Sequence, residues 1–149
     1  MSKPRYNWWP FALNMIRDYP RRLRDHNELK RQQITPSPDG ASAGGSDISR
    51  VVERLAMRQL PPQEQREFDA VTGALERTKT MTEGKVRCEV VKMTMWRGYD
   101  INGAARICNV SWYTARRYRW QFILLVGMLY GFLDEAEFKE AVRRDQEGG

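Results

Sequence analysis

"ARICNVSWYTARRYRW", Ala105 to Trp120, is the stretch on which the fold turns. Four arginines and four aromatics stand in these sixteen residues, divided by Asn109-Val110-Ser111. Asn enters left-handed backbone more readily than most residues, and Ser is a preferred helix N-cap. The stretch therefore predicts the end of one helix, a tight turn and the start of another. Upstream, Asp100 can cap a short helix over Ile101 to Cys108. Before that, Val86, Val90 and Met93, flanked by Val91 and Met95, trace a helix from about Lys85 to Trp96, closed by the glycine of "RGYD". Downstream, Ala115, Tyr118, Phe122, Leu125 and Leu129 recur three and four apart, so the last helix runs on past Trp120. Three helices with a tight turn between the last two form a helix-turn-helix.

The charge pattern gives this unit a polyanionic partner. The chain of 149 residues carries 25 Lys and Arg against 19 Asp and Glu, a net +6. Residues 1–34 hold eight basic and three acidic side chains, and residues 84–130 eight and two, whereas residues 131–149 hold three and six. Double-stranded DNA is the expected partner. With Ala115, Tyr118 and Phe122 facing the core, Trp112, Tyr113, Arg116 and Arg117 fall on the exposed front of the last helix, with Arg119 and Trp120 further along. Arginines at such positions can pair bidentately with guanine or grip phosphate, and aromatics can pack on a thymine methyl or a sugar. Ser111 and Thr114 belong to the cap, whose helix N-terminus can hold a phosphate. Arg106 on the preceding helix, with Lys85, Arg87, Lys92 and Arg97 around the first, are backbone-contact candidates. The alternative for a basic, aromatic-rich helix is an ordinary solvated face with cation and ring pairs.

The rest of the chain reads as scaffold. "TPSPDGASAGGS", Thr35 to Ser46, is a linker by its prolines, glycines and small polar residues. Before it, Asn7 can cap a short helix carrying Trp8, Phe11, Ala12, Met15 and Ile16. Pro20 interrupts that helix, and a second, basic one runs from Arg21 to Gln33, so residues 1–34 are expected to form a helical hairpin. Residues 47–83 are expected to hold scaffold helices, one capped by Asp47 with Ile48, Val51, Val52 and Leu55 on a face, and one started by Pro61-Pro62 with Phe68, Val71 and Leu75 aligned. Residues 84–133 hold the helix-turn-helix, and residues 134–149 an acidic C-terminal helix or tail. The fold class is thus all-α, a helical scaffold with a C-terminal helix-turn-helix.

The apolar run "FILLVGMLYGFL", Phe122 to Leu133, is twelve residues long, short of the roughly 20 that span a membrane. It is apolar around its whole circumference, so Leu124, Met128 and Leu133 need a cover. The chain's own helices are the favoured cover, a second subunit the lesser candidate. Trp8 and Trp9 read as core anchors, and His26 as a helix-surface residue. Cys88 and Cys108, with one histidine, cannot assemble a four-ligand zinc site, so no metal or cofactor is expected and both thiols are expected reduced and buried. No Ser-His-Asp set, phosphate loop or paired acids support catalysis, and the chain is read as a non-enzyme. Without a secretory leader it is expected in the cytoplasm, with no membrane partner, as a monomer or small homo-oligomer.

A resemblance extends this reading. "DINGAARICNVSWYTARRYRW" resembles the helix-turn-helix of sigma-factor region 4, with Asp100, Ala105, Val110, Ser111 and Thr114 at pattern positions. Asn109 stands where the usual glycine does. Cys108 and Ala115 replace larger aliphatic residues, which leaves Trp96 or Tyr99 to fill the unit's core, and Trp112 and Tyr113 replace polar ones. The wider layout is similar to phage transcriptional activators of the RinA and ArpU type, through Tyr19-Pro20, Gly44-Gly45-Ser46-Asp47 and Arg117-Tyr118-Arg119. The resemblance implies a sequence-specific transcriptional regulator of late or packaging genes in a bacterial host. A DNA-packaging adaptor resembling small terminase subunits, ring-forming and also equipped with a helix-turn-helix, is the alternative. RNA polymerase is a further candidate partner, reached through acidic residues of the middle helices.

Overall fold

A computed structural model describes residues 6–34 and 60–148, and among them every regular element is a helix. Six follow in order: α1 (Trp9–Ile34), α2 (Pro62–Lys79), α3 (Gly84–Met95), α4 (Ile101–Cys108), α5 (Trp112–Tyr130) and α6 (Glu135–Gly148). The expected linker and the helix capped by Asp47 lie outside the described residues. For the other elements after residue 60 the sequence reading holds to within a residue or two. Pro62 occupies the first turn of α2, where its missing N–H costs nothing, and Phe68 and Val71 are buried with Leu75 packed beside them.

The expected N-terminal hairpin is not formed. Residues 9–34 make one helix with Pro20 inside it. A proline at that place has no N–H to give the carbonyl four residues back, that of Ile16, and Ile16 is fully buried. The indole N–H of Trp96 donates to the Ile16 carbonyl instead, at 2.6 Å. Both sides of the proline are also anchored. Ala12, Met15, Ile16 and Tyr19 enter the core before it. After it the buried Arg22 pairs with Glu67 of α2 at 3.2 Å and with Asp18 at 3.8 Å, and His26 stacks on Phe68 at 4.7 Å rather than standing free on the surface. Packing on α2 thus outweighs the local break.

The centre of the molecule is the apolar run of α5. Phe122, Ile123, Leu124, Leu125 and Val126 are all buried, covered by α1 and α2 on one side and by α3 and α6 on the others. The chain's own helices are the cover, as expected. Leu124 and Leu133 meet Trp8, Trp9 and Trp120 in an aromatic layer, and Trp8 lies flat on Phe132 at 5.5 Å. Gly127 permits this, because a Cβ there would stand 2.6 Å from the Trp8 ring. At the other end Gly84 lets the start of α3 abut the end of α2, where a Cβ would lie 2.3 Å from the Lys79 carbonyl oxygen. None of the helices described is long and apolar enough to cross a membrane.

Candidate nucleic-acid interface

Helices α3, α4 and α5 share a small core of their own, in which Val90, Ala105 and Ala115 are buried and Ile101, Cys108, Val110 and Tyr118 pack around them. Ile101, Val110 and Tyr118 make up the volume that the short side chains of Cys108 and Ala115 leave. Trp96 and Tyr99 do not fill it: Trp96 stacks on Tyr19 in the main core, and Tyr99 is exposed.

The turn is fixed by local chemistry. The Asp100 carboxylate accepts from the Gly103 amide at 2.7 Å and starts α4. Asn109 ends it in left-handed backbone, at φ 57°, which an Asn tolerates better than most residues. The Ser111 hydroxyl oxygen accepts from the Thr114 amide at 3.1 Å and donates to the Thr114 hydroxyl at 2.9 Å. A helix, a three-residue turn and a second helix result, with the first turn of α5 at the molecule's edge.

Helical spacing sorts six of the nine candidate residues into two faces of α5. Trp112, Arg116 and Arg119 share one face of α5, and Tyr113, Arg117 and Trp120 the next. Tyr113 is open, at 65 % exposure, and meets Trp112 edge-on at 5.2 Å. Ser111 and, on α4, Arg106 are exposed as well. Further along α5 the expected face closes. Trp120 packs against Trp9 at 6.4 Å within the aromatic layer, so it anchors the helix and does not project. Arg119 is half-buried, and burial first, then the charge of Arg17, lowers its pKa. It borders a cleft of about 440 Å³ with Trp112, Tyr99 and Asn102, beside the start of α4.

Arg116 and Arg117 are not open to solvent as the sequence suggested. Their side chains are 22 % and 32 % exposed, and both pair with Asp145 of α6, at 3.6 Å and 3.3 Å. That carboxylate, itself only 10 % exposed, straddles the seam between the two faces. Asp134 makes this possible by starting α6 with a reciprocal cap, its carboxylate accepting from the Glu137 amide at 2.7 Å while Glu137 accepts from the Asp134 amide at 3.2 Å. Nothing in the sequence singled out Asp145 from the other acidic residues of the tail, and nothing marked Arg17.

The backbone-contact candidates divide as well. Lys85 is exposed, Lys92 and Arg97 both approach Glu89, at 3.8 Å and 4.0 Å, and Arg87 turns inward over the Tyr118 ring. Of the two free cysteines, Cys88 is buried whereas Cys108 is half-buried. Burial raises both thiols above their ordinary range; at Cys88 the nearby Lys79 and Lys92 oppose that rise, and at Cys108 Glu89 adds to it. Among the described residues no group of three or more His, Cys, Asp or Glu side chains is placed to hold a metal ion.

The chain matches no protein-family model, and no curated protein or solved structure matches it either.

Proposed function

We propose that the protein is a sequence-specific regulator of transcription that binds double-stranded DNA through the front of α5, of the kind the resemblance to phage late-gene activators implies. The observation that carries this is the capped turn between α4 and α5. It starts α5 with Ser111 and Tyr113 exposed and Trp112 against Tyr113, leaves Arg106 exposed on α4, and puts Arg116 and Arg117 one turn further along α5. In this reading the first turn of α5 enters the major groove, and Tyr113 and Trp112 pack on sugars or thymine methyl groups. Arg106 and Lys85 meet phosphates, and the N-terminus of α5 helps to orient the backbone. The net +6 of the chain supports the encounter with DNA.

Asp145 adds a condition. Arg116 and Arg117 reach a base or phosphate only by exchanging its carboxylate for the nucleic acid, and because that carboxylate is only 10 % exposed the exchange costs more than breaking a surface ion pair. The packaging-adaptor alternative needs a broad subunit contact. Phe122 to Val126, the middle of the apolar run, are buried within the chain and are not free for such a contact, and the regulator is therefore preferred.

The test is footprinting on fragments of a phage genome, with light scattering of the same sample. A short protected site and a monomer or small oligomer are expected. Uniform, sequence-independent protection would exclude the regulator, and a large closed ring would favour the adaptor.

A further inference from the structure

A second cleft lies on the far side of α5 from the Trp112–Arg119 cleft, between the α2–α3 turn and α6, with a volume of about 450 Å³. That is within the range of small-ligand sites. Its walls differ in chemistry. Leu125 of α5 and Phe138 and Val142 of α6 make an apolar side, whereas Arg87 and Gln121 supply polar groups.

Those two polar residues are arranged for a partner they do not have. Gln121 is 8 % exposed, and its Oε1 accepts from Arg87 Nη1 at 2.8 Å. That bond fixes the amide's orientation and leaves Nε2 as the remaining donor, which is itself buried and has no hydrogen-bond partner among the described residues. A buried amide N–H left unpaired is costly, and a polar group brought within reach of it would recover that cost. Arg87 is held rigidly, with Nε donating to the Thr82 carbonyl at 2.9 Å and the guanidinium 4.4 Å over the Tyr118 ring. No carboxylate of the described residues pairs with it. A fixed cation and an unpaired amide donor side by side favour an acceptor that carries negative charge, and a planar carboxylate suits a guanidinium best.

We propose that this cleft binds a small monocarboxylate with an apolar body, its carboxylate held by Arg87 and Gln121 Nε2 and its body lying against Leu125, Phe138 and Val142. The site is separate from the DNA-reading front and does not rest on that reading. Its α6 wall does belong to the helix that carries Asp145, so an occupant touches the element that holds Arg116 and Arg117.

Octanoate is the probe, titrated into the ¹⁵N-labelled full chain while the Gln121 side-chain amide and the Thr80 and Thr82 backbone amides are followed. Octan-1-ol is the neutral comparison. Q121E is the variant, since it turns the unpaired donor into a repelling carboxylate oxygen yet keeps an acceptor for Arg87 and should fold. Saturable octanoate binding is expected, at least tenfold weaker for octan-1-ol and at least tenfold weaker in Q121E. No saturable response to octanoate, equal affinity for the alcohol, or undiminished octanoate binding in a folded Q121E would each overturn the proposal.

Discussion

Replacing Trp96 by Phe isolates the bond that lets α1 pass through Pro20. The ring stays aromatic and keeps its stack on Tyr19, 5.6 Å away, but the indole N–H to the buried Ile16 carbonyl is lost. An acceptor left unpaired in the core costs about 1–3 kcal/mol, and the smaller ring adds roughly 1 kcal/mol, the ordinary cost of a substitution at a half-buried position. W96F alone should therefore lose about 2–4 kcal/mol. In a P20A background the backbone N–H gained at that position supplies the Ile16 carbonyl from within the helix, and the same substitution should cost only about 1 kcal/mol. The coupling between the two sites, about 1–3 kcal/mol, is the quantity of interest. Equilibrium urea unfolding of the four proteins measures it. Equal costs of W96F in both backgrounds would refute the idea that Trp96 makes good what the proline removes.

Three further outcomes follow from other contacts. G84A should be destabilised by about 1–3 kcal/mol despite alanine's better helix propensity, because the added methyl meets the backbone carbonyls of Lys79 and Thr78; an unchanged urea midpoint would show that α2 and α3 can separate freely. D145N should tighten DNA binding by up to about fivefold for each arginine released, read by fluorescence anisotropy, and weaker binding would mean that Asp145 positions the arginines instead of competing for them. In native protein at neutral pH Cys108 should react with a thiol reagent faster than buried Cys88. Since both thiols are raised, both rates should keep climbing as pH rises past the ordinary thiol range, and fast, equal labelling of the two at neutral pH would contradict the burial assigned to Cys88.

What the sequence made legible was local. Asp100, Asn109 and Ser111 announce α4, the turn and α5 because each satisfies backbone groups within three or four residues of itself. The periodic apolar positions of α2, α3 and α5 likewise declare their buried faces. Pro20 was misread for the opposite reason: its compensation comes from an indole 80 residues from the carbonyl it serves, and no local pattern carries that information. The candidate site shows the same division. Tyr113 is open as the helical spacing foretold, and the cap Ser111 and Arg106 of α4 are open too, whereas Arg116 and Arg117 are covered by one carboxylate of a tail in which several look alike. Trp120 was counted with the DNA-facing residues as lying further along the same helix, and only the packing of Trp9 of α1 against it shows that this part of α5 is already occupied. Cys108 was expected to be as buried as Cys88, but it ends α4, where the turn leaves it half open.

The most direct measurement on the α5 front is selection of bound sequences from a randomised duplex library, with wild-type protein and with an R116A/R117A variant of matched melting temperature. If α5 reads bases, the wild type enriches a defined motif, and the variant loses about 1–3 kcal/mol on that motif for each base-reading arginine removed while its binding to random DNA falls less. No enriched motif from the wild type, or the same motif bound as tightly by the variant, would contradict the assignment of this helix to the groove.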